Sequence, residues 1–256
     1  TTGIGNNQSV DSLWVILPQN KYFVLKSPTI NKLNTYTLTA QTKLANLKIP
    51  KQKTLFDTQK MNELMSIEND YVDYKYQPSL LQQYTKMGPA AALTTNKKTN
   101  ITYLYYGTSK GNDKYLVALN QQQQIVNKTP FLLEKDKENT FALFFDANKD
   151  GYDDLLVLSG SGEWDEKDEN LGANLYLNNG TMHFIIDTSF AKINKHLIKA
   201  LAFDYDKDED TDIVLFPFIA PQDFPKGSEA VFLKNEKGIF SVDKKAATNS
   251  TGNYMD

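Results

Sequence analysis

The chain has 256 residues, of which 40% are hydrophobic and 12% aromatic, so it can bury a sizeable core and favours β-strands over a helical bundle. Its net charge is −3 and all 28 basic residues are lysine, which argues against a nucleic-acid-binding surface, where clustered arginine is typical. The absence of cysteine excludes disulfides, zinc–thiolate sites and thiol catalysis.

Residues 1–45 are predicted to form a small antiparallel β module. Apolar and polar side chains alternate over residues 10–17, and a turn at residues 18–20 leads into a second apolar segment at residues 22–25. Residues 36–39 are predicted as one more strand. Short apolar segments separated by turns are typical of strands joined as hairpins.

Residues 46–88 are predicted to be a linker followed by a lead-in to the main domain. The alternation is lost in the lysine-rich stretch from residue 40 to residue 60. The segment ends at Gly88-Pro89, a strong turn signal. We therefore place the start of the main domain at residue 89.

The main domain, residues 89–256, contains an internal repeat. Two acidic segments enter apolar strands, and their first aspartates are Asp146 and Asp204, 58 residues apart. Downstream of each lies an apolar strand and a turn that end in an aromatic residue, Phe184 and Phe240, at nearly the same separation. Repetition at a fixed period indicates stacked units of one kind.

Each unit is predicted to contain about four strands, which describes the blade of a β-propeller. A fainter copy without the aspartates begins near residue 91. The predicted fold is therefore all-β, with about three blades of a partial propeller preceded by the small antiparallel module. The predicted blades are residues 89–141, 142–199 and 200–256.

The two acidic segments are predicted to be calcium-binding loops. Calcium takes six to eight oxygen ligands, which alternate residues of a tight loop can supply. We assign the ligands to loop positions 1, 3, 5, 7 and 9, with the backbone carbonyl of Tyr152 at position 7 of the first loop and Asp210 at position 7 of the second. The candidates are Asp146, Asn148, Asp150, Tyr152 and Asp154 in the first loop and Asp204, Asp206, Asp208, Asp210 and Asp212 in the second.

The two loops differ at the residue after position 5. Gly151 permits a sharp turn there, whereas the second loop has Glu209. Neither loop fits an EF-hand, because position 12 holds Val157 and Leu215 instead of a bidentate glutamate. A solvated acidic turn is the alternative for a single such segment, but two copies at matching positions favour two calcium sites.

The pattern Asp-x-Asn-x-Asp-Gly-x-x-Asp-Leu at residues 146–155 resembles the FG-GAP or VCBS repeat of integrin-α-like β-propellers. Residues 1–39 resemble the C-terminal part of an ASPIC/UnbV domain. That resemblance is carried by Gly3-Ile4-Gly5, Val10-Asp11-Ser12-Leu13-Trp14-Val15 and Asn31-Lys32-Leu33-Asn34. Residues 68–89 and 216–240 are similar to the lead-in and third blade of large bacterial surface lipoproteins that combine these modules.

The resemblance implies an extracellular protein at the outer-membrane surface of a Gram-negative bacterium. The first predicted blade departs from the repeat because it lacks the calcium aspartates, so no metal is assigned to it. Closed propellers need about four to eight blades. We therefore expect the chain to be part of a longer parent protein that supplies the remaining blades.

The sequence predicts a non-catalytic protein. His183 and His196 have no carboxylate or serine at a recognisable catalytic spacing. As a separate point, the stretch of sequence given contains no recognisable signal peptide and no apolar run of about 18 residues. The expected function is binding, adhesion or scaffolding toward a protein or glycan at the cell surface, without nucleic acid. The alternative is capture of a glycan or polymer beside an outer-membrane transporter, for which Trp164 on an acidic loop is the candidate contact. The favoured interpretation of Trp164 itself is a side chain that packs back on its own blade.

Overall fold

A computed structural model describes residues 8–18, 21–33, 35–38, 44–46, 61–81, 83–165, 168–219 and 227–249. The chain divides into two compact units, Thr1–Lys60 and Met61–Asp256. Among the described residues, no helix is long and apolar enough to cross a membrane.

The first unit contains a small antiparallel sheet. Its strands are β1 (Ser12–Leu17), β2 (Lys21–Lys26) and β3 (Ala45–Asn46), in the order β1-β2-β3. Trp14 stacks on Tyr22 across β1 and β2, with ring centroids 4.8 Å apart.

The strand expected at residues 36–39 is wrong over its described part. Residues 35–38 have no regular structure, and residue 39 lies outside the described residues. Tyr36 and Leu38 are exposed, so the alternation there has no apolar surface to pack against. The third strand of the sheet is β3 instead, which pairs with β2 through Ala45 and Tyr22.

The second unit contains three four-stranded antiparallel sheets among its described residues, and in each the strands are adjacent in chain order. The first sheet has β4 (Ala90–Asn96), β5 (Ile101–Gly107), β6 (Tyr115–Leu119) and β7 (Ile125–Pro130). The second has β8 (Asn139–Phe145), β9 (Asp154–Ser159), β10 (Gly172–Asn178) and β11 (Phe184–Ile186). The third has β12 (Leu197–Phe203), β13 (Asp212–Pro217), β14 (Val231–Glu236) and β15 (Ile239–Val242).

Helical structure is sparse in the part of the chain that the structure describes. A short helix, α1 (Lys244–Asn249), follows β15, and single 3₁₀ turns lie at Asp73–Lys75 and Leu132–Glu134. The predicted all-β fold built from four-stranded units is confirmed.

The second sheet is packed on both faces, because side chains alternate along its strands. All six residues of β9 are buried. Leu155 and Val157 face a cluster shared with the first sheet, whereas Leu156 and Leu158 face a cluster shared with the third sheet. Burial of each such side chain stabilises the fold by about 1.5–3 kcal/mol.

The first strands of the three sheets, β4, β8 and β12, lie side by side in that order. Equivalent residues of these strands pack in the same direction in successive sheets. Ala142 of β8 packs toward the first sheet, and Ala200 of β12 packs toward the second. First strands that line up around one side of neighbouring sheets are typical of propeller blades.

The described residues of the lead-in pack against loops of the sheets. The buried carboxylate of Asp73 accepts hydrogen bonds from the backbone N–H groups of Tyr84 and Thr85, at 2.8 and 3.1 Å. The Tyr71 hydroxyl donates to the Gly162 carbonyl at 3.2 Å, and Tyr84 packs edge-on against Phe218. Residues from Met61 onward therefore belong to the same compact unit as the sheets.

Candidate metal centre

The first acidic loop (146–154) connects β8 to β9, and the second acidic loop (204–212) connects β12 to β13. Both loops follow the first strand of their sheets, and the sheets are neighbours, so the loops lie close together at one edge. Lys149 of the first loop reaches Asp210 of the second, with 2.8 Å between Nζ and Oδ1. The structure thus brings the two predicted sites side by side.

The side chains of the first acidic loop turn inward. The two carboxylate oxygens of Asp146 accept hydrogen bonds from the backbone N–H groups of Asp150 and Gly151, at 3.2 and 2.9 Å. Asn148 Oδ1 also accepts from the Asp150 N–H, at 3.1 Å. Gly151 has φ +86°, which L-residues rarely adopt, and this explains the glycine at that position. The Asn148 side-chain amide also donates to Asp150 Oδ2 at 3.2 Å, so the side chains at positions 1, 3 and 5 lie around the same turn.

Asp154, at position 9, is fully buried beneath the first acidic loop. Its carboxylate accepts hydrogen bonds from the backbone N–H groups of Ala147 and Asn178, at 3.0 and 2.8 Å. Burial raises the pKa of Asp154 to about 6, against the two backbone hydrogen bonds, and the charges of Asp150 and Asp146 raise it further. Burial is thus the main reason that the folded state favours the protonated form of Asp154, and the neighbouring carboxylates add to it.

The second acidic loop repeats this arrangement. Asp212 is also fully buried and accepts from the backbone N–H groups of Tyr205 and Asn235, at 3.0 and 2.8 Å. The backbone N–H of Glu209 donates to Asp204 at 2.9 Å, as Gly151 does to Asp146. Glu209 adopts φ +72°, so a glutamate takes the left-handed conformation that glycine supplies in the first loop.

Three carboxylates of the second loop converge. Oxygen atoms of Asp204, Asp206 and Asp208 all lie within 4.8 Å of one another. Such a spacing suits a cation bound by several oxygens at roughly 2.3–2.6 Å. The residues at positions 1, 3 and 5 could therefore hold a metal ion.

The residues at position 7 contact lysines from the preceding sheet. The Asp210 carboxylate accepts from Lys149 and from the Lys237 backbone N–H, at 3.0 Å for the latter, and its pKa is lowered first by Lys149. The Tyr152 hydroxyl is hydrogen-bonded to Lys98 Nζ. These side chains are engaged outside their loops, which leaves the backbone carbonyl as the candidate ligand at position 7.

Lys234, which lies on β14, was not among the predicted site residues. Its ammonium is 2.7 Å from Asp206 Oδ2 and 3.3 Å from Asp208 Oδ2. Hydrogen bonds to Asp206 and Asp208 raise the pKa of Lys234 above its ordinary range. No signal local to the loop could have found it, because Lys234 approaches from another strand.

Two asparagines that support the loops were also missed. Asn178 and Asn235 donate their backbone N–H groups to the buried aspartates of their own sheets. Both occupy the repeated strand-and-turn segment downstream of the acidic loop, so their recurrence in the sequence was the available signal.

A family model described as an FG-GAP-like repeat matches residues 146–215. The match begins at the first aspartate of the first acidic loop, includes the second loop and ends in β13. It covers less than half of the chain, and supports a repeat of the β-propeller-like kind in this region. No curated protein matches the chain. The resemblance to ASPIC/UnbV domains and to surface lipoproteins stays a prediction.

Proposed function

We propose that the chain is a calcium-binding, non-catalytic β-propeller-like module of a bacterial cell-surface protein, acting in adhesion or scaffolding. The observation that carries the calcium assignment is the convergence of Asp204, Asp206 and Asp208 in a loop that recurs in the neighbouring sheet. The donors are hard oxygen atoms, which calcium prefers. The cell-surface assignment rests on the resemblance to FG-GAP repeats.

Calcium would have a structural role in this proposal. Each acidic loop joins the first two strands of a sheet, and its oxygens would bind the ion at positions 1, 3, 5, 7 and 9. A bound ion would offset the repulsion among the carboxylates and fix the turn. The loops at the other end of the sheets would remain available for a protein partner.

The test is calcium titration of the metal-free chain by isothermal calorimetry, with thermal unfolding in calcium and in EDTA. We expect calcium binding and a rise of about 5 °C or more in Tm at saturating calcium. The double variant Asp146→Asn, Asp150→Asn should lose binding at the first loop. Asp204→Asn, Asp208→Asn should lose binding at the second.

The matched control is Asp136→Asn, which removes one exposed carboxylate outside the loops. It should bind calcium like the unmodified chain. A chain that releases no binding heat and has the same Tm in calcium and EDTA would overturn the proposal.

The alternative of glycan capture gains no support from Trp164. The indole is only 6% exposed, and Lys110 Nζ lies 5.1 Å from its ring centroid. Its face is therefore covered and does not offer a stacking platform for a sugar. Capture beside an outer-membrane transporter stays a prediction from the sequence, to be tested by glycan arrays.

A further inference from the structure

A positively charged side chain, Lys234 of β14, reaches into the second acidic loop. Lys234 Nζ lies 2.7 Å from Asp206 and 3.3 Å from Asp208, which are candidate calcium ligands at positions 3 and 5. Among the described residues, no lysine contacts Asp146 or Asp150 of the first loop in this way. The two loops therefore differ in what balances their negative charge.

The repeat explains the difference. Asn178 and Asn235 are equivalent, because each donates its backbone N–H to the buried aspartate of its own loop. The residue before Asn235 is Lys234, whereas the residue before Asn178 is Leu177. Leu177 packs against the apolar cluster between the second and third sheets. The lysine is thus an addition specific to the third sheet.

We propose that Lys234 is a built-in competitor of calcium at the second acidic loop, so that an incoming ion must displace its ammonium before binding. This inference rests on the proposed calcium function. It makes the second loop the weaker of the two sites and couples calcium binding there to release of the Lys234 side chain.

Geometry makes the two occupants mutually exclusive. Calcium binds carboxylate oxygens at roughly 2.3–2.6 Å. An ion at that distance from Asp206 and Asp208 would lie beside an ammonium that contacts the same carboxylates. Two cations at such short range repel strongly, so one must leave.

The Lys234 side chain can move away from the loop when its ammonium is displaced. Its side chain is 30% exposed, and Glu236 Oε1 lies 3.7 Å from its Nζ. Glu236 is mainly solvent-exposed and is not a candidate ligand. The displaced ammonium can therefore keep a carboxylate partner, and the loop need not rearrange its backbone.

Charge count alone would give the opposite order of affinities. At positions 1, 3, 5 and 9, where the side chains are the predicted ligands, the second loop has four aspartates, whereas the first has Asn148 at position 3; the second loop also has Asp210 at position 7, where the first has Tyr152. More carboxylates generally strengthen calcium binding. Lys234 contacts the aspartates at positions 3 and 5, and Lys149 contacts the aspartate at position 7. Their positive charges offset the extra negative charge of the second loop.

The experiment compares Lys234→Met with the unmodified chain in calcium titrations. We expect the affinity of the second loop to rise by about tenfold or more, while that of the first loop stays the same. Lys234→Arg, which keeps the charge, should leave the second loop weak. The control Lys199→Met removes an exposed lysine charge from β12 of the same sheet, five residues before the loop begins, and should change affinity by less than about threefold.

The two loops are separated by repeating the titrations with Asp146→Asn, Asp150→Asn, which leaves only the second loop. The chain that keeps both loops provides a second readout, since the weaker of its two binding phases should shift to lower calcium concentration in Lys234→Met. Binding at the first loop with an unchanged second-loop affinity in Lys234→Met would overturn this inference and leave the proposed function intact. Absence of calcium binding in every variant would overturn both.

Discussion

The side-chain amide of Asn235 donates a hydrogen bond to the backbone carbonyl of Ala147, 88 residues earlier in the chain, at 2.9 Å. The same amide donates to the Thr211 carbonyl at 3.0 Å, and its oxygen accepts from the Gly238 N–H at 2.8 Å. Ala147 belongs to the first acidic loop and Thr211 to the second. One buried side chain therefore ties the third sheet to both loops.

Asn235→Ala should destabilise the protein by about 3 kcal/mol, because it leaves the Ala147 and Thr211 carbonyls without this partner in a buried region. The measurement is urea-induced unfolding in EDTA, so that metal binding does not contribute. Asn178→Ala is the matched control, since the Asn178 side chain makes a similar number of hydrogen bonds, all within its own sheet, to the Asp153 carbonyl and to the N–H groups of Gly180 and Met182. We expect a similar loss for it, and a loss below about 1 kcal/mol for Asn235→Ala would contradict a stabilising bridge between the sheets.

The residue after position 5 gives a prediction of opposite sign in the two loops. Glu209→Gly should stabilise the chain by about 0.5–1 kcal/mol, because glycine adopts φ +72° without the steric cost of a side chain. Gly151→Ala should destabilise it by about 1–2 kcal/mol. A Cβ at Gly151 would meet no atom within 4 Å, so the cost there is purely one of backbone conformation.

Thermal unfolding of both variants in EDTA checks this prediction. A lower Tm for Glu209→Gly than for the unmodified chain would show that the glutamate side chain makes a stabilising contact. Gly227→Ala serves as the control, because its Cβ also enters open space but its backbone is not in the left-handed region.

The acidic loops could be predicted because their signal is local. Positions 1 to 9 of each loop are close in sequence, and the repetition of Asp146 at Asp204 gave a period that propensity alone does not provide. The four-strand units followed from the apolar segments between the loops. By contrast, the predicted strand at 36–39 rested on four residues without a recurring partner, and it was wrong over residues 36–38.

The contacts that distinguish the two loops could not be predicted in the same way. Lys234 reaches Asp206 from another strand, and Asn235 reaches Ala147 from another sheet. Such contacts depend on which strands become neighbours and in which register, and hydrophobic periodicity does not contain that information. The buried Glu134 is another case, since it accepts hydrogen bonds from Asn139 and Asn174 on two different strands.

Glu138 should make stability decrease with rising pH. It is 1% exposed, and its Oε1 has no hydrogen-bond partner among the described residues. Burial raises its pKa from 4.5 to about 7, against the Lys110 backbone hydrogen bond, and the charges of Glu68 and Glu163 raise it further. The folded state therefore binds a proton more tightly than the unfolded state, and this stabilisation is lost as pH rises from about 4.5 through 7.

Glu138→Gln should remove that dependence and be more stable than the unmodified chain at pH 8, by about 2–3 kcal/mol. Urea unfolding between pH 4.5 and pH 8 measures the slope. Glu169→Gln, at an exposed position, should keep the slope of the unmodified chain. A Glu138→Gln profile parallel to that of the unmodified chain would show that the Glu138 carboxyl titrates as it does in the unfolded state.

His196 should have the opposite effect in an overlapping pH range. The imidazole is 4% exposed, its Nε2 has no hydrogen-bond partner among the described residues, and its ring packs edge-on against Phe218. Burial lowers its pKa from 6.5 to about 4, although the charge of Asp73 opposes the shift. The unfolded state binds the proton more tightly, so stability is lost as pH falls from about 6.5 toward 4.

His196→Gln should flatten the acid side of the stability profile, whereas His183→Gln, at an exposed position, should not. The loss of stability on burying a charged imidazole is expected to reach about 3 kcal/mol near pH 4. Because the Glu138 and His196 contributions have opposite signs, the unmodified chain can show little net pH dependence between pH 4.5 and 6.5 while each variant shows a clear slope. A flat profile in both variants would contradict the opposed titration of these two buried groups.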